Sequence, residues 1–279
     1  MPGRADVAIV EYLAANGYHP RSSKHGDALC GFLLKDLLDT CPVFHGAAER
    51  NEIVFQRNYT IEPDSPDRWN ADLVVGSPSR PHAPDAERIG LLARGDPREI
   101  WIAVDVKTIM TEHGKARRNR QRDLNSFQDI LHRKNSRTIV GGLMIVNVAP
   151  RFQTPLARRS GGLNEHRNVE RLVAEIVTMM NGLARAQPEP GRPGIEALGV
   201  IVVAHTNLPG DTTRLVTEPP APVPGHALSY ATSSGSCVRH SRRVLARRLD
   251  RGDQQPMVSI TGRRKRSPTV DRRALASRA

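Results

Sequence analysis

A chain of 279 residues with 25% charged residues and no long apolar run is sized for one large domain, or one domain with an appendage, and contains no segment suited to crossing a membrane. The net charge of +12 is unevenly spread. Residues 219–279 carry 13 Lys+Arg against 3 Asp+Glu, so residues 1–218 are close to neutral and any affinity for nucleic acid in that part must come from a local patch.

The N-terminus, MPGRADVAIVEYLAANGYHP, has a short apolar patch but no basic start or small-residue cleavage site of a secretory signal. Cys30, Cys41 and Cys237 are far apart, odd in number and match no zinc spacing. A reducing cytoplasm is the simplest setting for them. Residues 25–40 place Leu29, Phe32, Leu33 and Leu37 at helical spacing and predict a helix. NEIVFQRNYTI, residues 51–61, is β-branched and aromatic and predicts a strand. ADLVVG, residues 71–76, predicts a second strand ending at glycine, and GSPSRPHAPDAERIG a Pro/Ser loop.

EIWIAVDVKT, residues 99–108, predicts a third strand. From Lys115 to Lys134, Leu124, Phe127 and Leu131 form one apolar stripe of a helix. TIVGGLMIVNVAP predicts a strand, residues 165–185 an amphipathic helix, and ALGVIVVAHTN a last strand apolar on both faces. The order predicts an α/β fold with a central mixed β-sheet flanked by helices and a right-handed crossover through the Lys115–Lys134 helix. Past Glu218, a proline segment and an Arg/Ser-rich stretch with a single aromatic residue, Tyr230, predict a disordered tail, dividing the chain into an α/β domain at 1–218 and a tail at 219–279.

Asp105 and Lys107 are the residues that call for chemistry. In a strand, positions i and i+2 share a side, so carboxylate and ammonium stand together while Val106 points into the core. Of the six lysines, only Lys107 has an acid two positions before it. A hard divalent cation such as Mg²⁺ asks for a second carboxylate from a neighbouring strand. Asp72, at the start of the preceding strand, supplies it, and the carbonyl of Val106 is a further oxygen ligand. Such a cation polarises a phosphate and acidifies a bound water, leaving Lys107 to orient that water or to offset charge in the transition state.

Asp72 followed by Asp105-Val106-Lys107, with a helix before and a crossover helix after, resembles the PD-(D/E)xK nuclease superfamily, which includes most type II restriction endonucleases. The resemblance covers residues 25–150, and reaches 207 with the last helix and strand. It implies a restriction-endonuclease-like core, Mg²⁺ as cofactor, double-stranded DNA as substrate, a homodimer that cuts both strands, and a cognate DNA methyltransferase encoded nearby. Two departures stand out: Ala71 precedes Asp72 where the pattern has proline, and the middle acid is aspartate where glutamate is commoner. The literal Pro-Asp pairs end at Asp64, Asp67 and Asp85, in loops, and rank below Asp72. Glu49 and Glu52 are candidates for the further glutamate that the superfamily often adds, a reading that ranks below ordinary surface acids near a strand start.

Lys115, Arg117, Arg118, Arg120 and Arg122 crowd the start of the helix after Lys107. A charge run is usually a solvated face, but a helix leaving the Asp105 strand also lies beside the reacting phosphate in the implied fold, which favours phosphate contacts. Asn119, Gln121 and Asn125 are potential base readers. His113 is read as a surface residue, Trp69 and Trp101 as core, and His205, Thr206 and Asn207 as either a strand cap or cleft residues. No GxSxG, HExxH, GxGxxG or P-loop occurs. The leading expectation is a stand-alone restriction-type endonuclease. A structure-specific repair nuclease and a non-catalytic nucleic-acid binder are the alternatives.

Overall fold

The computed structural model describes residues 4–19, 21–61, 68–111, 113–154, 163–185, 194–210 and 212–249. In chain order the elements are α1 (Ala5–Asn16), α2 (Lys24–Thr40), α3 (Pro42–Glu49), β1 (Val54–Ile61), β2 (Trp69–Pro78), β3 (Arg88–Ile89), β4 (Leu92–Arg94) and β5 (Pro97–Ile109). They continue with α4 (His113–Lys134), β6 (Ile139–Asn147), β7 (Arg151–Phe152), β8 (Asn164–Glu165), α5 (Val169–Asn181), β9 (Ala197–Ala204), β10 (Arg214–Leu215) and α6 (Tyr230–Leu249). Among the described residues no helix is long and apolar enough to cross a membrane.

Eight strands form one sheet in the order β10-β9-β6-β5-β2-β1-β4-β3. β1, β2 and β5 run antiparallel in succession, and β5, β6 and β9 run parallel. This is the mixed sheet expected from the apolar runs, and the major strands fall where the residue patterns put them. Every residue of β6 is buried and β9 is buried except at its last residue, because both strands have a helix layer on each face.

Alternating strand residues separate the two layers. Phe55, Leu73, Val75, Val104, Leu143, Ile145, Ile201 and Val203 pack with α1, α2, α3 and α6. Val74, Ala103, Val140, Met144, Val146, Leu198, Val200 and Val202 pack with Leu124, Phe127 and Leu131 of α4 and Val173, Ile176 and Met180 of α5. Within this frame Asp105 has Gly142 of β6 as its register partner. A Cβ at Gly142 would lie 2.9 Å from Leu198 and 3.0 Å from Leu124, so the glycine lets α4 close down on the sheet beside Asp105.

The segment after Glu218 corrects the expectation of a tail without structure. Tyr230–Leu249 is a helix, with Tyr230, Cys237 and Val238 buried in the α1/α2/α3 layer. The Tyr230 hydroxyl donates to Asp36 Oδ2 at 2.7 Å, and the Ala5 amide donates to the same oxygen at 2.8 Å. Small polar residues, not apolar bulk, line much of this contact: Ser233 and Ser241 are buried, and Ser233 sits over Gly199 of β9. Hydrophobic periodicity does not register such a face. The remainder of the expected tail, 250–279, lies outside the described residues.

Candidate active site

The site forms where β2 and β5 part. Their pairing runs from Pro78↔Pro97 to Leu73↔Val104 and stops there. The next residue of β2, Asp72, turns its side chain into the gap and accepts the Val106 amide at 2.6 Å. On the other side of β2, Asn58 of β1 stands between the pairs Arg57↔Leu73 and Tyr59↔Ala71, in the left-handed region at φ 51°, a conformation that asparagine adopts more readily than most residues.

 Asn58 thereby interrupts the β1–β2 ladder opposite Asp72. The Asn58 side-chain amide donates to Asp27 Oδ1 of α2 at 3.1 Å.

Lys107 Nζ lies 2.8 Å from Asp105 Oδ1 and 5.8 Å from the centroid of the Trp69 ring. The pair is not at a solvated strand end. Asp105 is 0% exposed and the Lys107 side chain 15%. The second oxygen, Asp105 Oδ2, is buried without a hydrogen-bond donor among the described residues. Burial pushes the Asp105 carboxyl up to about 7; Lys107 opposes the rise, and the charge and hydrogen bonding of Asp72 add to it. Two acceptor groups held against one another, one of them lacking a donor, form a locus that a proton or a cation completes.

No family model, curated protein or solved structure matches this chain. The chemistry of the site therefore rests on its own residues.

Lys107 pairs with Asp105, and Asp72 acts on the Asp105 carboxyl from β2. Val106 is buried on the opposite side and gives its amide to Asp72. Among the described residues no group of three or more His, Cys, Asp or Glu side chains assembles as a metal cage. A pair of carboxylates nevertheless suits Mg²⁺, which keeps several waters and is bound through one or two carboxylates together with substrate phosphates.

The third acid at this end of the molecule is Asp27, and the sequence reading passed over it. Cys30, one turn further along α2, is fully buried; burial pushes its thiol well up, and Asp72, Asp27 and Asp105 all add to the rise. Asp27 accepts from Ser23 and Asn58, which hold it on the site's side of α2. The available signal was an acid in the first turn of the helix that precedes the β1–β2 pair. Glu49 and Glu52 do not take this place. Glu52 pairs with Arg50 and Glu49 with His45, and Glu52 is six residues before Asn58, roughly 20 Å along an extended chain. Asp85 is exposed in a turn; Asp64 and Asp67 lie outside the described residues.

α4 begins four residues after β5 ends. Arg118 and Arg122 are exposed, and Arg120 is half-buried and paired with Asp123 at 3.1 Å. The side chains of His113, Lys115 and Arg117 lie outside the described residues, as does the assembly of all five cations into one patch. His205 and Asn207 act as strand caps. Asn207 accepts the Tyr18 amide at 2.7 Å and donates to the carbonyls of Tyr18 and Gln153, while His205 contacts Thr213 and Asn207. Trp101 is core, as expected, whereas Trp69 is half-buried and faces Lys107.

Proposed function

We propose that this chain is a Mg²⁺-dependent endonuclease that hydrolyses DNA phosphodiester bonds, of restriction type, with a restriction-endonuclease-like core. The observation that carries the reading is the buried Asp105 carboxylate, lacking a donor on Oδ2, held against Asp72 and beside Lys107. Stability is a weak explanation for it. Removing both charges of a pair from water costs several kcal/mol per ion, and apolar residues of similar volume commonly do as well or better. A buried acid with a strongly raised pKa and a specific charge partner is the kind of group that functional sites retain.

Asp72 and Asp105 are the carboxylates that hold the cation, with the Val106 carbonyl as a further oxygen. Mg²⁺ supplies polarisation of the phosphate and an acidified water. Lys107 orients the attacking water and offsets charge on the phosphate oxygens; Trp69 and Asp105 fix its ammonium. The exposed Arg118 and Arg122, together with Lys115, Arg117 and Arg120, contact backbone phosphates and position the duplex without reading its sequence. Double-stranded DNA is the substrate, a homodimer cuts both strands, and a cognate methyltransferase protects host DNA in the cytoplasm.

The test is incubation of plasmid DNA with the full chain, with Mg²⁺ or with EDTA, alongside Asp105→Asn and Lys107→Met. Discrete fragments that need Mg²⁺ and vanish in both variants are expected. Diffuse nicking would favour a structure-specific nuclease. Metal-independent activity, or full activity in either variant, would remove the proposed chemistry.

A further inference from the structure

A cleft of about 570 Å³ is lined by Tyr12, Tyr18, His19, Lys24, His25 and Asn207, among others, and no Asp or Glu is among its lining residues. One wall is the turn after α1. Gly17 has φ 66°, and Asn207 grips Tyr18 by both its amide and its carbonyl, so this wall is fixed to the end of β9. The other wall is the first turn of α2. Ser23 gives its hydroxyl to Asp27 instead of capping the helix, and the Asp27 amide closes on the Ser23 carbonyl. The amides of His25 and Gly26 are left with no acceptor among the described residues, at the positive end of a 17-residue helix.

An independent observation points into the same space. The His25 ring is 8% exposed and lines the cleft. It packs tilted against the Tyr18 ring, centroids 5.0 Å apart, and neither of its nitrogens makes a hydrogen bond among the described residues. A mostly buried imidazole opening on the cleft, two open amides and a lysine, with the nearby Asp27 carboxylate engaged by Ser23 and Asn58 and outside the lining, are together suited to one class of ligand, a phosphate. Tyr18 lies between the cleft and the Asp105 strand: burial pushes its hydroxyl up, and Thr108, the residue after Lys107, and Arg120 of α4 oppose the rise.

We infer that this cleft binds a phosphate group of a nucleic-acid strand, next to the bond held at Asp105 and Lys107. The inference rests on the nucleic-acid part of the proposed function. Both an internal phosphodiester and a terminal phosphomonoester have the required chemistry.

The experiment uses the full chain in EDTA, where metal-dependent cleavage is absent. Amide spectra and fluorescence anisotropy are recorded with inorganic phosphate and with a short single-stranded oligonucleotide carrying either a 5′-hydroxyl or a 5′-phosphate. Both oligonucleotides are expected to move the His25 and Gly26 amide signals. Lys24→Ala is expected to weaken oligonucleotide binding by roughly tenfold, as for loss of one charge-assisted hydrogen bond, and to reduce the salt slope by about 0.7. Equal binding of the two oligonucleotides assigns an internal phosphate, and preference for the phosphorylated one assigns a terminus. The inference is overturned if no oligonucleotide binds, if binding leaves those amides unmoved, if Lys24→Ala binds as the parent does, or if only inorganic phosphate moves the signals. Lys24-dependent binding without any cleavage in Mg²⁺ would overturn the nuclease reading and leave the phosphate site standing.

Discussion

The Tyr230 hydroxyl and the Ala5 amide converge on a single oxygen, Asp36 Oδ2, at 2.7 and 2.8 Å. Burial raises the Asp36 pKa, and these two donors counter the rise by favouring the charged form. Tyr230→Phe removes one donor and is expected to destabilise the protein by about 1–3 kcal/mol. Because this hydrogen bond favours the ionised carboxylate over the neutral acid, its loss should cost more at pH 8 than at pH 4. Urea denaturation at the two values measures it.

Asp105 gives a second pH dependence. Its carboxyl is pushed up to about 7 from the usual 3.8, so its favourable contribution is complete below the unfolded value and is lost as pH rises through 7. Asp105→Asn should flatten this fall in stability between about pH 4 and 8. At pH 8, Mg²⁺ at a hundred times its Kd should stabilise the parent by about 2.7 kcal/mol and leave Asp105→Asn unmoved. Thermal melts with and without Mg²⁺ test both statements, and an equal Mg²⁺ effect in the variant would contradict the assignment.

Lys107→Met removes the only cation within salt-bridge distance of Asp105 among the described residues. The carboxyl pKa then rises further, so the variant should lose stability at pH 8 and little at pH 5, where Asp105 is neutral in both proteins. On the proposed function, plasmid cleavage should fall by about a hundredfold or more. Comparing chemical denaturation with plasmid cleavage separates the two effects.

Gly76 lies at the irregularity where β2 shifts register against β5. A Cβ there would be 1.8 Å from the Glu99 carbonyl oxygen and 2.8 Å from its carbon, both backbone atoms. Gly76→Ala is expected to cost about 3 kcal/mol or more, and to show as a depressed Tm or loss of folded protein.

What the sequence disclosed depends on how local the cause was. The apolar runs of β6 and β9 specify buried strands by themselves, and the Leu124/Phe127/Leu131 stripe specifies the inner face of α4. Asp72, Asp105 and Lys107 were legible because period-two geometry and a strand-end position are local properties. The burial of Asp105 was not, since it depends on Gly142 and Leu124 meeting beside it. Asp27 enters through Asn58, a contact spanning 31 residues and resting on a left-handed backbone. α6 escaped notice because Ser233 packing over Gly199 replaces the large apolar side chains that periodicity detects.

The separation between partners in the helical layer has a consequence for biosynthesis. Tyr230 reaches back 194 residues to Asp36, and Asn207 reaches back 189 residues to Tyr18. On the ribosome, the N-terminal helices emerge first but wait for the distal third of the polypeptide before their anchoring partners exist. At roughly 5–20 residues per second that delay is on the order of ten to forty seconds, an interval in which nascent α1 and α2 present unpaired apolar faces to chaperones.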